Sequence, residues 1–377
     1  MKKTVWIMVI ALALALAFTA CDDGNSNPND NNNTNGNGNG NGNGTNDNAT
    51  VYIVGYITDN SYSKPCYWKD GVRTVLPKEE IPGYEPRATG IAVLGDSIYI
   101  IGKDDINYNH RAFYWKNGVQ TFLPPEETTE SLARAIAVSG GSVYIFGGYY
   151  DEDDNWTNCY WKDGVITDLP PLFDSETMEF LGYGNSIAVY EDSVYIAGWY
   201  AGVTINFNDI ATRVPCYWKD GVRTDLPHGA FEAYAGSITI SEGSVYIAGR
   251  DGGRACYWKD GVITYLTSGS QYDRASSIAV SGGSVYVAGS YYDSNYTQYG
   301  NRACYWKDGI KTDLTVDTSS PPSWANSIAI SGGSVYVAGN FQGYTDKPCY
   351  WKDGIITLLS TPNQDYSESF GIAVVPK

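Results

Sequence analysis

The chain has few of the residues that build metal centres and nucleic-acid surfaces. Its 377 residues include only two His, at His110 and His228, which cannot supply a histidine-rich metal centre. Lys and Arg number 25 against 42 Asp and Glu, and the formal net charge of −17 would repel a phosphate backbone. The sequence therefore predicts no nucleic-acid partner, no cofactor and no metal centre.

Catalytic motifs are also missing. No Gly-x-Ser-x-Gly elbow and no sialidase-type Asp-box occur, and the two His stand in loops with no evident Ser or Cys partner. Pairs of carboxylates brought together across loops are invisible in a single sequence, so they stay open. We therefore expect that the protein is not an enzyme, and a carboxylate pair of this kind is the one route to catalysis that stays open.

Long apolar runs are confined to the first residues. Lys2 and Lys3 precede an apolar stretch from Thr4 to Ala20, which is short for a membrane-spanning helix and is typical of a secretory signal. The junction Phe18-Thr19-Ala20-Cys21 resembles the lipobox of bacterial lipoproteins. This resemblance implies that residues 1–20 are removed and that Cys21 is lipidated, which would hold the protein on a membrane without a spanning helix.

The segment after this junction lacks large apolar residues. Residues 22–50 contain 13 Asn and six Gly, a composition that cannot offset the entropy of ordering. We interpret residues 21–50 as the anchor cysteine and a flexible tether with a mean reach of about 30 Å.

From residue 51 onward the chain repeats. The marker Tyr-Trp-Lys-Asp/Asn-Gly occurs seven times, with successive Trp spacings of 47, 46, 57, 40, 48 and 45 residues. Its Trp residues are Trp68, Trp115, Trp161, Trp218, Trp258, Trp306 and Trp351. Each unit reads as four short strands separated by Gly or Asp-Gly, and the Asp-Gly pairs supply the positive φ that a two-residue hairpin requires.

The ends of the repeat indicate a closed ring. The chain enters at strand two, Val51 to Gly55, and leaves after strand one, Ile372 to Val374. Joined, the C-terminal strand and the three N-terminal strands make a seventh unit, whereas an open array would need polar caps. Residues 51–377 are therefore predicted to form an all-β, seven-bladed β-propeller.

Two repeat families resemble this pattern. The run Ala135 to Gly148 followed by Tyr160-Trp161 is similar to a kelch repeat, whose second strand ends in a Gly pair, although most copies here have one Gly. The segment Arg111 to Val119 resembles the bacterial extracellular HAF-type repeat. Both resemblances imply the fold and leave the activity open.

Most repeated residues are expected to be structural. Six Cys occupy one position per blade, with Phe113 in the remaining blade. Equivalent positions in different blades are too far apart for disulfides, so these thiols should be unpaired and should pack as small apolar groups. We expect the seven Trp to pack between blades, and the seven Lys that follow them to form a solvated ring.

Function is predicted on the loop face, because the loops vary between blades whereas the hairpins barely do. Aromatic and Arg side chains mark this face, and such groups stack on sugars or anchor protein partners. The candidate ligand-binding residues are Arg87, Tyr183, Tyr234, Arg274, Trp324 and Glu368 before strand one, and Trp199 and Arg250 after strand two. The acidic loop Asp151 to Asn155 offers oxygen ligands for Ca²⁺, but it lacks an EF-hand pattern and favours a solvated loop.

Two functional hypotheses follow. The first is a monomeric binding or scaffold module in the cell envelope, lipid-anchored at the outer membrane or cell surface, that presents its loop face to a protein or glycan. The alternative is a carbohydrate-active enzyme, a lyase or glycosidase, with Arg87, Arg274 and Glu368 at the channel mouth.

Overall fold

The computed structural model describes residues 49–59, 62–78, 86–104, 111–125, 130–153, 155–169, 183–201, 213–229, 232–270, 272–294, 300–314, 322–342, 346–361 and 366–377. The predicted signal segment, the predicted lipidation site Cys21 and the predicted tether up to residue 48 lie outside these ranges. No helix in the described ranges is long and apolar enough to cross a membrane.

The described chain is built from 28 strands. In chain order they are β1 (Ala49–Asp59), β2 (Tyr62–Lys69), β3 (Val72–Val75), β4 (Pro86–Leu94), β5 (Ser97–Asp104), β6 (Phe113–Lys116), β7 (Val119–Phe122), β8 (Ser131–Ser139), β9 (Ser142–Tyr150), β10 (Trp156–Lys162), β11 (Val165–Asp168), β12 (Tyr183–Tyr190), β13 (Ser193–Ala201), β14 (Arg213–Lys219), β15 (Val222–Asp225), β16 (Ala233–Ser241), β17 (Ser244–Asp251), β18 (Arg254–Lys259), β19 (Val262–Tyr265), β20 (Arg274–Ser281), β21 (Ser284–Tyr292), β22 (Asn301–Lys307), β23 (Ile310–Asp313), β24 (Ser323–Ser331), β25 (Ser334–Gln342), β26 (Asp346–Lys352), β27 (Ile355–Leu358) and β28 (Ser367–Pro376).

These strands form seven antiparallel four-stranded sheets, which are the blades of a propeller. Blade 1 has the order β28-β1-β2-β3, so the last strand of the chain completes the first sheet. Blades 2 to 7 follow as β4–β7, β8–β11, β12–β15, β16–β19, β20–β23 and β24–β27. The first strands of neighbouring blades contact one another around the whole ring, which places strand one innermost. The predicted seven-bladed propeller and its closure are confirmed.

The turn between strands three and four has the same construction in every blade. Its Asp or Asn has φ between 48° and 51°, as at Asp260 with 48°, and the Gly that follows has φ near 80°. The Asp or Asn oxygen also accepts the N–H of a strand-two residue at 2.8–2.9 Å in all seven blades, as Asp260 does from Val245. The Asp-Gly pairs were predicted as hairpin turns, and the carboxylate additionally fastens the turn to strand two.

The core lies between the blades. All seven repeat Trp are buried, none more than 3% exposed, and all six repeat Cys are buried free thiols. Cys66 and Trp68 of blade 1 pack with Tyr336, Ala338 and Leu359 of blade 7, and the other seams repeat this arrangement. The expectation that Trp and Cys pack between blades is confirmed, and their burial supplies much of the stabilisation at about 25 cal/mol per Å².

The indole groups of four repeat Trp also fasten their blade to the one before it, by a hydrogen bond to a backbone carbonyl. Trp115 donates its Nε1–H to the Pro77 carbonyl at 2.7 Å, and Trp258 donates to the Pro227 carbonyl at 2.8 Å. Trp306 is buried with no acceptor for its Nε1–H among the described residues. The blade 5 to blade 6 seam therefore lacks a bond that several other seams have.

A glycine ends the Ser-Val-Tyr-Ile-Ala-Gly motif because strand one bulges against it. In each blade the register of strands one and two shifts by one residue at this glycine. A Cβ at Gly249 would lie 1.9 Å from the Tyr234 carbonyl oxygen, and Gly55, Gly147, Gly289 and Gly339 meet the same obstacle. The close approach of the bulged backbone, and not a positive φ, excludes a side chain there.

The strand directions separate two faces. Strands one and three run toward the hairpins, and strands two and four run toward the longer connections, so all hairpins share one face and all loops share the other. On the hairpin face each repeat Lys lies with its Nζ 5.2–5.9 Å from the ring of a strand-two Tyr, as Lys259 does over Tyr246. Strand β1 begins at this face, so the first described residue, Ala49, lies on the side opposite the loops.

Candidate functional site

The candidate residues lie where the innermost strands reach the loop face. We call this region the channel mouth and define it by three positions per blade: the residue four before the strand-one Ile, its strand-two register partner, and the bulged strand-one residue. From blade 1 to blade 7 these are Glu368, Tyr56 and Phe370; Arg87, Lys103 and Thr89; Leu132, Gly148 and Arg134; Tyr183, Trp199 and Asn185; Tyr234, Arg250 and Gly236; Arg274, Ser290 and Ser276; and Trp324, Asn340 and Asn326.

The register explains why two separate sequence positions belong together. Tyr183 pairs with Trp199, and Tyr234 pairs with Arg250. In each pair the Tyr was predicted from its position before strand one, and its partner was predicted from its position after strand two. The structure thus places each strand-one candidate beside a strand-two residue of its own blade. The structure describes the backbone of Tyr183 and Lys103 but not their side chains.

Trp199, Tyr234 and Arg250 form one cluster at the seam of blades 4 and 5. The Trp199 and Tyr234 rings meet edge to face with centroids 6.1 Å apart, and the Arg250 guanidinium lies 5.2 Å from the Tyr234 ring. Arg250 also faces the Glu232 carboxylate, with Nη2 3.6 Å from Oε2. Sequence reasoning had found three members of this cluster.

Arg213 was not predicted, and it completes the cluster. Its guanidinium lies 4.8 Å from the Trp199 ring and 5.0 Å from the Tyr234 ring, and it donates a short hydrogen bond to the Tyr234 hydroxyl. Arg213 begins strand three, away from the two positions that the repeat pattern marked. No signal in the repeat pattern could have found it.

Arg87 and Glu368 border a second aromatic cluster, between blades 1 and 2. The Arg87 guanidinium lies 4.6 Å from the ring of buried Tyr56, which stacks on Phe370 at 5.9 Å. Tyr366 donates its hydroxyl proton to Glu368 Oε1 at 2.7 Å. Desolvation, and then hydrogen bonding with the Glu368 and Asp346 carboxylates, raise the pKa of Tyr366, so its hydroxyl stays a proton donor to Glu368.

Arg274 and Trp324 stand on the adjacent blades 6 and 7. Arg274 is exposed and Trp324 is half-buried. Neither side chain makes a hydrogen bond, ion pair or ring contact with any residue in the described ranges. The fold therefore leaves one guanidinium and one indole uncommitted at the mouth.

Blade 3 adds a pair that sequence reasoning missed. The bulged Arg134 lies with its guanidinium 5.7 Å from the Trp156 ring, which meets Tyr150 edge to face at 5.1 Å. Gly148 is the register partner of Leu132, and a Cβ there would lie 2.6 Å from the Trp156 ring. The Gly pair that resembles a kelch repeat thus makes room for Trp156 at the mouth.

Two other polar groups on the loop face serve the fold. Asp151 accepts the backbone N–H groups of Asp153 and Asn155 at 3.0 and 2.8 Å, so its carboxylate closes the acidic loop. The buried Asp251 carboxylate accepts hydrogen bonds from the Tyr265 hydroxyl at 2.6 Å and from the Arg254 guanidinium at 3.0 Å. Within the described ranges no group of three or more His, Cys, Asp or Glu could hold a metal ion.

Comparisons with known proteins reveal similarity of fold. No family model matches the sequence, and no curated protein matches it. Among solved structures the chain is similar to a puromycin-hydrolysing peptidase of Mycobacterium tuberculosis, with 11% identity and a TM-score of 0.51 over 82% of this chain and 53% of that one. It is also similar to an acylaminoacyl peptidase of Pyrococcus horikoshii, with 14% identity and a TM-score of 0.50 over 84% of this chain and 51% of that one.

A sialidase of Trypanosoma rangeli matches with a TM-score of 0.45 and 10% identity over 80% of this chain and 56% of that one. The chain spans about half the length of the solved structures it matches. At these identities the peptidase matches show the propeller fold alone.

Proposed function

We propose that the protein is a binding module, tethered to a membrane on the outside of the cell, that holds a glycan at its channel mouth. The observation that carries the proposal is the pair Arg274 and Trp324. Neither the exposed Arg274 guanidinium nor the half-buried Trp324 indole takes part in a hydrogen bond, ion pair or ring contact with the described residues, so no such interaction ties these groups to the fold. Both groups suit a sugar, because an indole offers an apolar face and a guanidinium offers several N–H donors.

The start of the described chain supports this orientation. Strand β1 begins on the hairpin face, so a lipid anchor at Cys21 would be joined to the propeller from the side opposite the channel mouth. The mouth would then be open to ligands outside the cell.

A glycan suits this geometry better than a protein partner. The aromatic and charged groups form separate small clusters around a channel, at the seams of blades 4 and 5 and of blades 1 and 2. A stable protein interface buries about 800 Å² per partner in one continuous patch. Small sites with a few aromatic and polar groups are typical of sites for small ligands or short chains.

The proposal is tested by a glycan array probed with the full chain and with the double variant Trp199→Ala, Trp324→Ala. We expect the double variant to lose at least tenfold in affinity for the glycan bound by the wild type. Val262→Ala, on the hairpin face and 68% exposed, is the matched control and should bind normally.

Binding that survives in the double variant, or no binding to any glycan, would refute the proposal. If the polysaccharide is instead depolymerised and Glu368→Gln stops the turnover, the catalytic alternative replaces it. In that alternative Glu368 would be the catalytic carboxylate. Tyr366 donates a hydrogen bond of 2.7 Å to it, and Arg87 lies over the ring of Tyr56 in the same cluster.

A further inference from the structure

The channel mouth has the opposite charge balance from the rest of the protein. The chain carries 25 Lys and Arg against 42 Asp and Glu. Nineteen of the mouth positions have described side chains, and they include four Arg against one Glu. The Arg residues are Arg87, Arg134, Arg250 and Arg274, on four different blades, and the Glu is Glu368. These arginines produce a local positive potential in an otherwise acidic protein, and this potential favours the binding of an anion at the channel mouth.

Three of these guanidinium groups are held in place by aromatic rings. The distances from guanidinium carbon to ring centroid are 4.6 Å for Arg87 over Tyr56, 5.2 Å for Arg250 over Tyr234 and 5.7 Å for Arg134 over Trp156. Contact with a ring restricts the rotation of a guanidinium, which remains a planar group with several N–H donors. Little side-chain entropy is then lost when these groups bind a ligand.

The guanidinium fork matches a carboxylate. Two parallel N–H···O bonds can form between one Arg and one carboxylate, and such charge-assisted bonds are about twice as strong as neutral ones. Arg274 is free to make this contact within the described structure, because its side chain has no hydrogen-bond or ion-pair partner there. By contrast, Arg250 is partly neutralised by Glu232 at 3.6 Å.

We propose that the ligand of the channel mouth is an acidic polysaccharide of the uronic-acid class, whose carboxylates bind Arg274 and the stacked arginines. This inference rests on the proposed glycan-binding function and adds the charge of the ligand. Trp324, on the blade next to Arg274, supplies the apolar surface for a sugar ring of the same chain.

The test compares one polymer in two charge states. Polygalacturonate and fully methyl-esterified polygalacturonate have the same backbone, and only the first has free carboxylates. We expect the full chain to bind polygalacturonate at least tenfold more tightly than the ester. Equal binding of the two polymers would overturn the charge inference while leaving the glycan proposal standing, whereas the absence of binding to both, together with an empty glycan array, would overturn both proposals.

The role of Arg274 is tested by a pair of matched variants. Arg274→Gln should weaken polygalacturonate binding about three- to tenfold, which corresponds to one exposed charge-assisted contact. Arg223→Gln removes the same charge from the outer strand, where Arg223 pairs with Asp225 at 3.0 Å, and should bind as the wild type does. Equal losses in the two variants would show that only net charge matters and would overturn the assignment to the mouth. The thermal midpoint of Arg274→Gln should be unchanged, since the side chain has no described partner.

Discussion

Three glycines of blade 5 should respond very differently to the same substitution by alanine. Gly249 lies two residues before the end of strand two, Gly243 lies in the hairpin before that strand, and Gly236 is the bulged residue of strand one. An added methyl group at Gly249 would lie 1.9 Å from the Tyr234 carbonyl oxygen and 2.9 Å from the Trp258 ring. At Gly236 the nearest atom would be the Ala248 carbonyl oxygen at 3.5 Å, an ordinary contact.

The expected losses follow from these distances. An ordinary carbon–oxygen contact needs about 3.4 Å, so Gly249→Ala must push strand one away from strand two by about 1.5 Å within a packed sheet, at a cost on the order of 3–4 kcal/mol. Gly243 has a φ of 77° with open space around it, so alanine there costs about 1 kcal/mol in backbone strain alone. Gly236→Ala should change the free energy of unfolding by less than about 0.5 kcal/mol.

Thermal unfolding of the three variants measures this order. An unfolding entropy of about 2.1 cal/mol/K per residue over about 330 residues converts 3–4 kcal/mol into a fall of about 4–6 °C for Gly249→Ala. Gly243→Ala should fall by about 1–2 °C, and Gly236→Ala should stay within 1 °C of the wild type. A normal midpoint for Gly249→Ala, or an equal fall for Gly236→Ala, would show that the bulged backbone is not what requires the glycine.

Two further predictions concern the turns and the thiols. Asp260→Ala should lose about 2 kcal/mol in a denaturation measurement, because it removes the 2.8 Å bond to the Val245 N–H and leaves alanine at a φ of 48°; Asp260→Asn should be nearly neutral, since Asn117 makes the same bond in blade 2. Burial raises the pKa of the Cys256 thiol and of its five equivalents far above 9.0, so only the unfolded chain ionises these thiols as the pH rises past 9. The free energy of unfolding at pH 10 should therefore fall by about 1.4 kcal/mol per thiol. Cys256→Ala should lessen the fall between pH 8 and 10 by that amount, and an unchanged pH dependence would contradict the prediction.

The local turn chemistry was predictable because it depends on neighbouring residues alone. Asp-Gly pairs such as Asp260-Gly261 fit a two-residue hairpin wherever they separate two strands. The number of blades was also readable, since the repeat opens with a strand-two pattern, Val51 to Gly55, and closes with a strand-one pattern, Ile372 to Val374. The bulge opposite Gly249 was not readable, because one extra residue in a strand leaves no distinct composition.

The candidate site was predicted in part. Trp199, Tyr234 and Arg250 were singled out by their positions in the repeat, and they do lie together. Arg213 joins them from the start of strand three through contacts between two blades. Contacts of this kind depend on how adjacent blades pack, and the sequence of one blade does not encode the distance to the next.

The sequence by itself determined the architecture, because a repeated pattern of strands and turns that opens in mid-unit can satisfy its edges only by closing into a ring. It also determined which residues form the seams, since the Trp and Cys recur at one position per blade. Only the tertiary structure decided which arginines are stacked on rings, which carboxylates are engaged, and that Arg274 and Trp324 are left uncommitted. Those outcomes depend on distances of a few ångströms between side chains of different blades, and such distances are fixed only when the blades are packed together.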